Sequence, residues 1–227
     1  MLPINLNTKY RYTLVNNTYS PSVDELTLIN DPLIDISYWA KKGNAYKSYK
    51  KNIKEKHYFG QGLRCAYCRA KLRTDAYWED LDHIVAQTTR AEWMFYPKNL
   101  IVTCEPCNRL KNADITLTNI AIANFPTNSG DFTIFNPHFD KWEDHFEIFN
   151  RIFIRGKEGT KGPATYKYCH LYRHDIIINN VDESRIWGIW TMRRLTHRLT
   201  EVEIDSNEYV HINNAIKHLL RRKQYNP

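Results

Sequence analysis

The chain has 227 residues and a mass of 27.0 kDa, with 42% hydrophobic and 25% charged residues. That composition excludes collagen, a disulfide miniprotein and a mostly disordered chain, and it is long enough to bury a core unaided. Lys and Arg number 32 against 25 Asp and Glu, a net charge of +7. This basic balance suits a polyanionic partner, although a merely basic surface would also give it. No stretch approaches the roughly 20 apolar residues of a membrane span. Residues 1–10 hold neither a basic leader nor an apolar run, so a soluble cytoplasmic protein is expected.

In chain order, Tyr10-Arg11-Tyr12-Thr13-Leu14-Val15 reads as strand-like, with turn signals at Asn16-Asn17 and Ser20-Pro21. Tyr38 to Tyr58 reads as helix, with Gly43 as an interruption. Between residues 41 and 73 stand Lys41, Lys42, Lys47, Lys50, Lys51, Lys54, Lys56, Arg64, Arg69, Lys71 and Arg73, against one acid, Glu55. Tyr46, Tyr49, Tyr58 and Tyr67 are interleaved with them. Such a stretch can neutralise phosphates and stack on bases. A solvated helix face with inward tyrosines is the plainer alternative.

Four of the five cysteines form two Cys-x-x-Cys pairs, Cys65/Cys68 and Cys104/Cys107. In a reducing compartment two such pairs predict a four-thiolate zinc site. Four protein ligands leave no position for water, so this zinc is structural. A redox pair would need only one of the two. Residues 69–103 separate the pairs, more than a simple zinc ribbon contains. Cys169 is left over and reads as a buried free thiol.

The insert begins with Tyr77 to Val85, rich in aromatic and β-branched residues, and reads as a strand. A polar stretch from Ala86 to Tyr96 leads through Pro97-Lys98-Asn99 to a second strand, Leu100 to Thr103. The second cysteine pair then opens a helix at Asn108 to Asn112. The order is knuckle, strand, loop, strand, knuckle, helix.

Cys-Ala-Tyr-Cys at 65–68, Leu-Asp-His-Ile at 81–84, Asn99-Leu100 and Cys-x-x-Cys-Asn-x-x-Lys at 104–111 together resemble the zinc-supported HNH endonucleases. Four motifs in order, over about 50 residues, carry this resemblance. It implies a ββα-metal finger that holds one divalent cation against a phosphate. By position, His83 would be the general base, Asp82 and Asn108 the cation ligands, and Asn99 the residue pinning the loop that orients the base. Arg109 and Lys111 would hold phosphate, and the basic stretch (Lys47, Lys50, Lys51, Lys54 and Arg69) would contact nucleic acid. The family often has proline two residues after the Asp-His-Ile triplet; here that residue is Ala86.

The residue chemistry agrees with this reading. A neutral imidazole can accept a proton from water near neutral pH. A carboxylate and an amide oxygen are hard ligands suited to Mg²⁺ or Mn²⁺. Adjacent strand residues point to opposite faces, so Asp82 and His83 can share a site only where the strand ends.

Beyond the finger, Thr116 to Ala123 is expected to continue a helix, and Pro126 to Gly130 to turn. Residues 135–147 more loosely resemble a segment of bacterial anti-phage HNH nucleases, the Septu-type and retron-associated ones. Its histidines are expected to pack near the finger, with a second metal site from His138, Asp140 and His145 as the alternative. Phe146 to Ile154 reads as a strand, Gly156–Gly162 as a loop and Ala164 to Arg173 as helix. Ile176-Ile177-Ile178 is too short to classify. Arg185 to Leu199 and Val210 to Arg222 read as amphipathic helices.

The expected architecture is α+β: a ββα finger with a four-cysteine zinc site, embedded in a largely helical body. It divides into an N-terminal region with the basic helix (1–59), a nuclease core (60–125) and an accessory region (126–227). The expected function is metal-dependent phosphodiester hydrolysis, DNA favoured over RNA, in anti-phage defence. Two alternatives stand: a catalytically silent zinc module that binds nucleic acid, and an effector released by a partner ATPase or retron component.

Overall fold

The computed structural model describes residues 9–10, 12–14, 18–31, 33–72, 79–113, 115–185 and 188–225. Arg73, Tyr77, Trp78 and Ile186, and the Asn16-Asn17 turn, lie outside them. The architecture is mixed α and β, with two small antiparallel sheets. Among the described residues no helix is long and apolar enough to cross a membrane.

Helix α1 (Val23–Ile29) starts in a reciprocal capping box between Ser22 and Glu25. A 3₁₀ turn over Ile36–Ala40 precedes α2 (Asn44–Gly60). The helix expected from Tyr38 thus begins at Asn44, because Gly43 takes the N-cap position in an extended conformation. Tyr49, Ile53 and His57 recur at helical spacing on its buried face.

Strand β1 (Glu79–His83) pairs antiparallel with β2 (Leu100–Cys104), with Asp82 opposite Ile101 and His83 opposite Leu100. Helix α3 (Glu105–Lys111) follows at once, with Pro106 in its first turn, where a missing N–H costs no hydrogen bond. The first cysteine knuckle is hooked onto this unit by Gln61. Its side chain donates to the Val102 carbonyl (2.6 Å) and accepts from the Val102 N–H (2.9 Å). The Ala66 N–H also donates to the Val102 carbonyl (3.1 Å).

Three expectations are corrected beyond this unit. Thr116 to Ala123 is not helical: Leu117 bridges to Phe132, and the Thr116 hydroxyl donates to the Ile84 carbonyl. The expected strand Phe146 to Ile154 is a hairpin of β3 (Phe146–Phe149) and β4 (Phe153–Gly156). It turns through Asn150 and Arg151, both at positive φ. Residues 12–14 form no strand, though they hydrogen-bond to residues 137 and 142.

The remaining helices are α4 (Trp142–His145), α5 (Gly162–Tyr168), α6 (His174–Ser184), α7 (Ile189–Glu201) and α8 (Asn207–Tyr225). The isoleucine run 176–178 lies inside α6, where three adjacent buried side chains meet different neighbours around the helix. Gly162 is required for packing, since a Cβ there would lie 2.1 Å from the His145 carbonyl oxygen.

The main core gathers both knuckles, β2, Phe135, Trp142 and Cys169. A second joins Ile152 and Phe153 to α6, α7 and α8. A third packs Tyr49 and Ile53 of α2 on Met94, Phe95 and Leu100. This third core sets α2 against the end of β1, where the candidate site lies.

Candidate active site

Two features converge around the β1–β2 hairpin: a cysteine cluster behind it and a polar cleft in front. The Sγ atoms of Cys65, Cys68, Cys104 and Cys107 all lie within 4.8 Å of one another. Tetrahedral zinc with Zn–S bonds of about 2.3 Å requires S–S edges of about 3.8 Å. Cys68 and Cys104 are 3.8 Å apart. The donor set and spacing are therefore compatible with a structural zinc. Arg173 lies alongside, its Nη2 donating to the Cys107 sulfur at 3.5 Å. Burial would lower the Arg173 pKa, but the sulfurs of Cys107 and its neighbours, with Asp175, raise it. A fixed cation beside a thiolate cluster offsets its charge.

The cleft has a volume of about 410 Å³ and is lined by Asp80, Asp82, His83, Asn108, Arg109, Lys111 and Trp39, among others. β1 ends at His83, so Asp82 and His83 both reach it despite their adjacency. The His83 Nε2 donates to the Met94 carbonyl at 3.0 Å. That carbonyl can only accept, so the proton sits on Nε2 and Nδ1 is left as a lone-pair acceptor. Burial lowers the His83 pKa to about 4, with Lys111 adding to the effect. The ring is therefore neutral at physiological pH.

Asn99 holds the loop that carries Met94. Its Oδ1 accepts from the Val85 N–H (2.8 Å) and its Nδ2 donates to the carbonyls of Val85 and Trp93 (3.1 Å each). Asn99 is fully buried and so acts on His83 through the loop. At position 86 the alanine carbonyl accepts from Thr89 and Arg90, which closes the turn without proline.

Asp82 is buried, with Oδ1 3.2 Å from the Lys111 ammonium and Oδ2 without any hydrogen bond. The Tyr67 hydroxyl, also buried, faces this carboxylate and helps to hold it ionised. Burial raises the Asp82 pKa to about 6, against the opposing pull of Lys111. Asn108 donates from Nδ2 to Asp80 Oδ2 at 3.0 Å, which orients the amide and leaves Oδ1 as its available acceptor. An orphaned buried carboxylate oxygen and an amide oxygen on one cleft fit a hard divalent cation.

Two of the predicted phosphate contacts are corrected. Arg69 is buried in the first knuckle, at positive φ, donating to the carbonyls of Lys9, Cys65 and Gln61. Lys111 is 1% exposed, its ammonium spent on Asp82 and the His83 carbonyl (2.8 Å). Lys47 and Lys51 are exposed on α2, opposite its buried face, and Lys54 is half-buried there. Lys50 donates to the Trp39 carbonyl at 2.8 Å. Arg109 is exposed and paired with Glu105, one turn earlier on α3.

Sequence reasoning missed four participants. Asp80 had a signal: it sits two residues before Asp82, on the same face of β1. The Met94 carbonyl is backbone and leaves no mark in composition. Trp39, whose ring packs edge-on to His83 at 4.3 Å, and Arg173 arrive from distant segments.

No family model matches the chain. It is similar to the Septu protein PtuB of Bacillus thuringiensis, at 24% identity over 115 residues. The match spans 51% of this chain and 39% of PtuB, so the chain covers well under half of that relative's length.

Proposed function

We propose that the protein is a metal-dependent nuclease of the HNH type that hydrolyses nucleic acid phosphodiesters, DNA favoured, and serves as an anti-phage defence effector. One observation carries the chemistry. A neutral histidine with its Nδ1 lone pair available shares a cleft with a buried carboxylate whose Oδ2 has no partner. The ββα order of β1, β2 and α3 beside four gathered cysteines supports the finger assignment. The similarity to a Septu protein supports the defence role.

In this reading His83 Nδ1 takes the proton of the attacking water, while the Met94 carbonyl keeps the ring oriented. Asp82 and Asn108 would hold Mg²⁺ or Mn²⁺, which when bound neutralises charge on the phosphate and the leaving oxygen. Asp80 fixes the Asn108 amide, and Lys111 fixes Asp82. Structural zinc on the four cysteines would tie the knuckles to β2. The exposed lysines Lys47 and Lys51, with Arg109, supply positive charge for the strand, and residues 60–125 form the catalytic unit.

The test is cleavage of supercoiled plasmid, linear duplex, single-stranded DNA and total RNA by the zinc-loaded protein, with Mg²⁺, Mn²⁺ or EDTA. Ion-dependent cleavage that disappears in His83→Ala is the expected result. A folded, zinc-loaded chain that cuts none of these would overturn constitutive activity. The effector-release reading has its own support, since Trp39 packs against His83 at the cleft. It predicts that cleavage appears only when an added partner component displaces residues 36–40.

A further inference from the structure

On the opposite side of α3 lies a larger cleft, about 670 Å³, between the knuckle and the C-terminal helices. This is the size of a small-ligand site. Leu72, Pro106 and Leu110 make its apolar lining, and Lys71 and Arg109, both exposed, stand at its rim. Asp175 is the acid that lines it, and its carboxylate is engaged by Arg173 at 3.1 Å. The Nε of Arg109 is engaged by Glu105 at 2.8 Å, so the rim presents Lys71 and the terminal amino groups of Arg109 to an anion.

Its far wall is a ladder of rings. His170 stacks on Tyr172 (centroids 5.2 Å, planes 20° apart), and Tyr172 lies 5.6 Å from His211. His211 is stacked with His174 at 5.6 Å and 14°, their Nδ1 atoms 3.4 Å apart. Three of these rings, His170, His174 and His211, line the cleft itself. Arg109 lines both this cleft and the one containing His83. A strand crossing α3 at Arg109 would reach both clefts.

We propose that this cleft is a nucleotide subsite, in which an unpaired base packs against the His170–His211 wall and the adjoining phosphate meets Lys71 and Arg109. The inference rests on the nuclease reading and extends it to a substrate with unpaired nucleotides beside the cut. A nucleoside phosphate is the shared chemistry, and it can come from a strand or from a free nucleotide. A mixed apolar and ring-lined pocket with a cationic rim suits it because every base offers a stacking face, while the charge reads only phosphate.

The experiment measures fluorescence anisotropy of a labelled single-stranded 20-mer DNA, in Mg²⁺, on the full zinc-loaded chain carrying His83→Ala. AMP is the free-nucleotide probe. Lys71→Glu and His211→Ala are each added to that background, and melting temperature and zinc content are checked. Each variant should weaken 20-mer binding about 5- to 30-fold, the range of a lost stack or phosphate contact. Lys71 is exposed, so its variant keeps the test open if His211→Ala folds poorly. AMP binding lost in the same variants assigns the site to free nucleotides as well; strand binding without AMP binding assigns it to the strand. Unchanged affinities in both folded variants, or no binding of either probe by the parent, overturns the proposal. Cleavage of single-stranded DNA by the chain with His83 intact separates the two readings. If it persists at unchanged KM with His211→Ala, the subsite fails and the nuclease stands.

Discussion

Two clusters in this molecule pair an aspartate with histidines, and they differ in what they leave unsatisfied. At Asp140 every acceptor is used: Oδ1 takes the Ser129 hydroxyl (2.5 Å), and Oδ2 takes the Asn136 N–H (2.9 Å) and the Lys161 ammonium (2.8 Å). Its neighbour His138 is equally engaged, with Thr18 on Nδ1 (2.9 Å) and the Leu100 carbonyl on Nε2 (3.0 Å). His138 thereby braces β2 from behind. At Asp82 one oxygen is orphaned, and at His83 one nitrogen remains an available acceptor. Buried polar groups are ordinarily paired. Asn136 Nδ2 and His57 Nδ1 beside the Asp140 cluster are unpaired too, but in closed core, whereas Asp82 lines an open cleft. A second metal site on His138, Asp140 and His145 is accordingly unsupported. Among the described residues, the cysteines alone gather as a group of three or more metal ligands.

The largest expected effect separates the clusters by activity. His83→Ala should lower the cleavage rate by about 10²- to 10⁴-fold, the usual contribution of a general base. Its melting temperature should stay near that of the parent. A variant that cuts at the parental rate would return His83 to the structural class.

Asp140→Asn should do the reverse. Removing a buried charge partner of Lys161 costs about 3–5 kcal/mol. Urea denaturation should show that loss, while cleavage per folded molecule stays unchanged. A fall in activity with intact stability would put Asp140 in the chemistry.

Acid titration sharpens the contrast further. Burial lowers His138 to about 3 and His57 to about 4, from an ordinary 6.5. The unfolded chain protonates these rings first, so their contribution is full above pH 6.5 and declines as pH falls toward 4. Asp140 behaves differently. Burial would raise it, but hydrogen bonds from His145, Lys161, Ser129 and Asn136 hold it down at about 2. Its contribution is present above the ordinary carboxylate pKa and is lost only as pH falls toward 2. Stability should drop by several kcal/mol between pH 6.5 and 4, with His83 adding to the drop and Asp82, held up at about 6, opposing it, and Asp140→Asn should leave that limb unchanged. A flat denaturation midpoint over this range would contradict the burial of His57 and His138 as neutral rings.

The smallest effect tests orientation. Asp80→Asn replaces the acceptor that holds the Asn108 amide. Apparent Mg²⁺ affinity, read from the ion dependence of cleavage, should weaken about tenfold, as when a ligand loses its supporting hydrogen bond. Unchanged ion dependence would make Asp80 a bystander.

Much of this was legible in the residues because the information is local. Two Cys-x-x-Cys pairs specify a thiolate cluster by spacing alone. Asp82 beside His83 demands a strand end, and β1 ends there. Tyr49, Ile53 and His57 declare the inner face of α2 by period. Composition and local propensity also settle the mixture of helices and short strands.

The tertiary structure decided what depends on distant partners. Arg69 and Lys111 look like phosphate contacts in sequence, since a cation in a basic run is ordinarily solvated. One is buried against three carbonyls and the other against Asp82, because the knuckle and α3 close over them. The proton on His83 is placed by a backbone carbonyl eleven residues away, held there by Asn99. The 116–123 stretch has a composition compatible with helix, but its backbone partners lie across the chain at Asp131, Phe132 and Thr133. Side-chain chemistry is written in the sequence. Which oxygens and nitrogens remain unpaired on residues that line an open cleft is a property of the packed chain, and that property separates the Asp82 cluster from the Asp140 cluster.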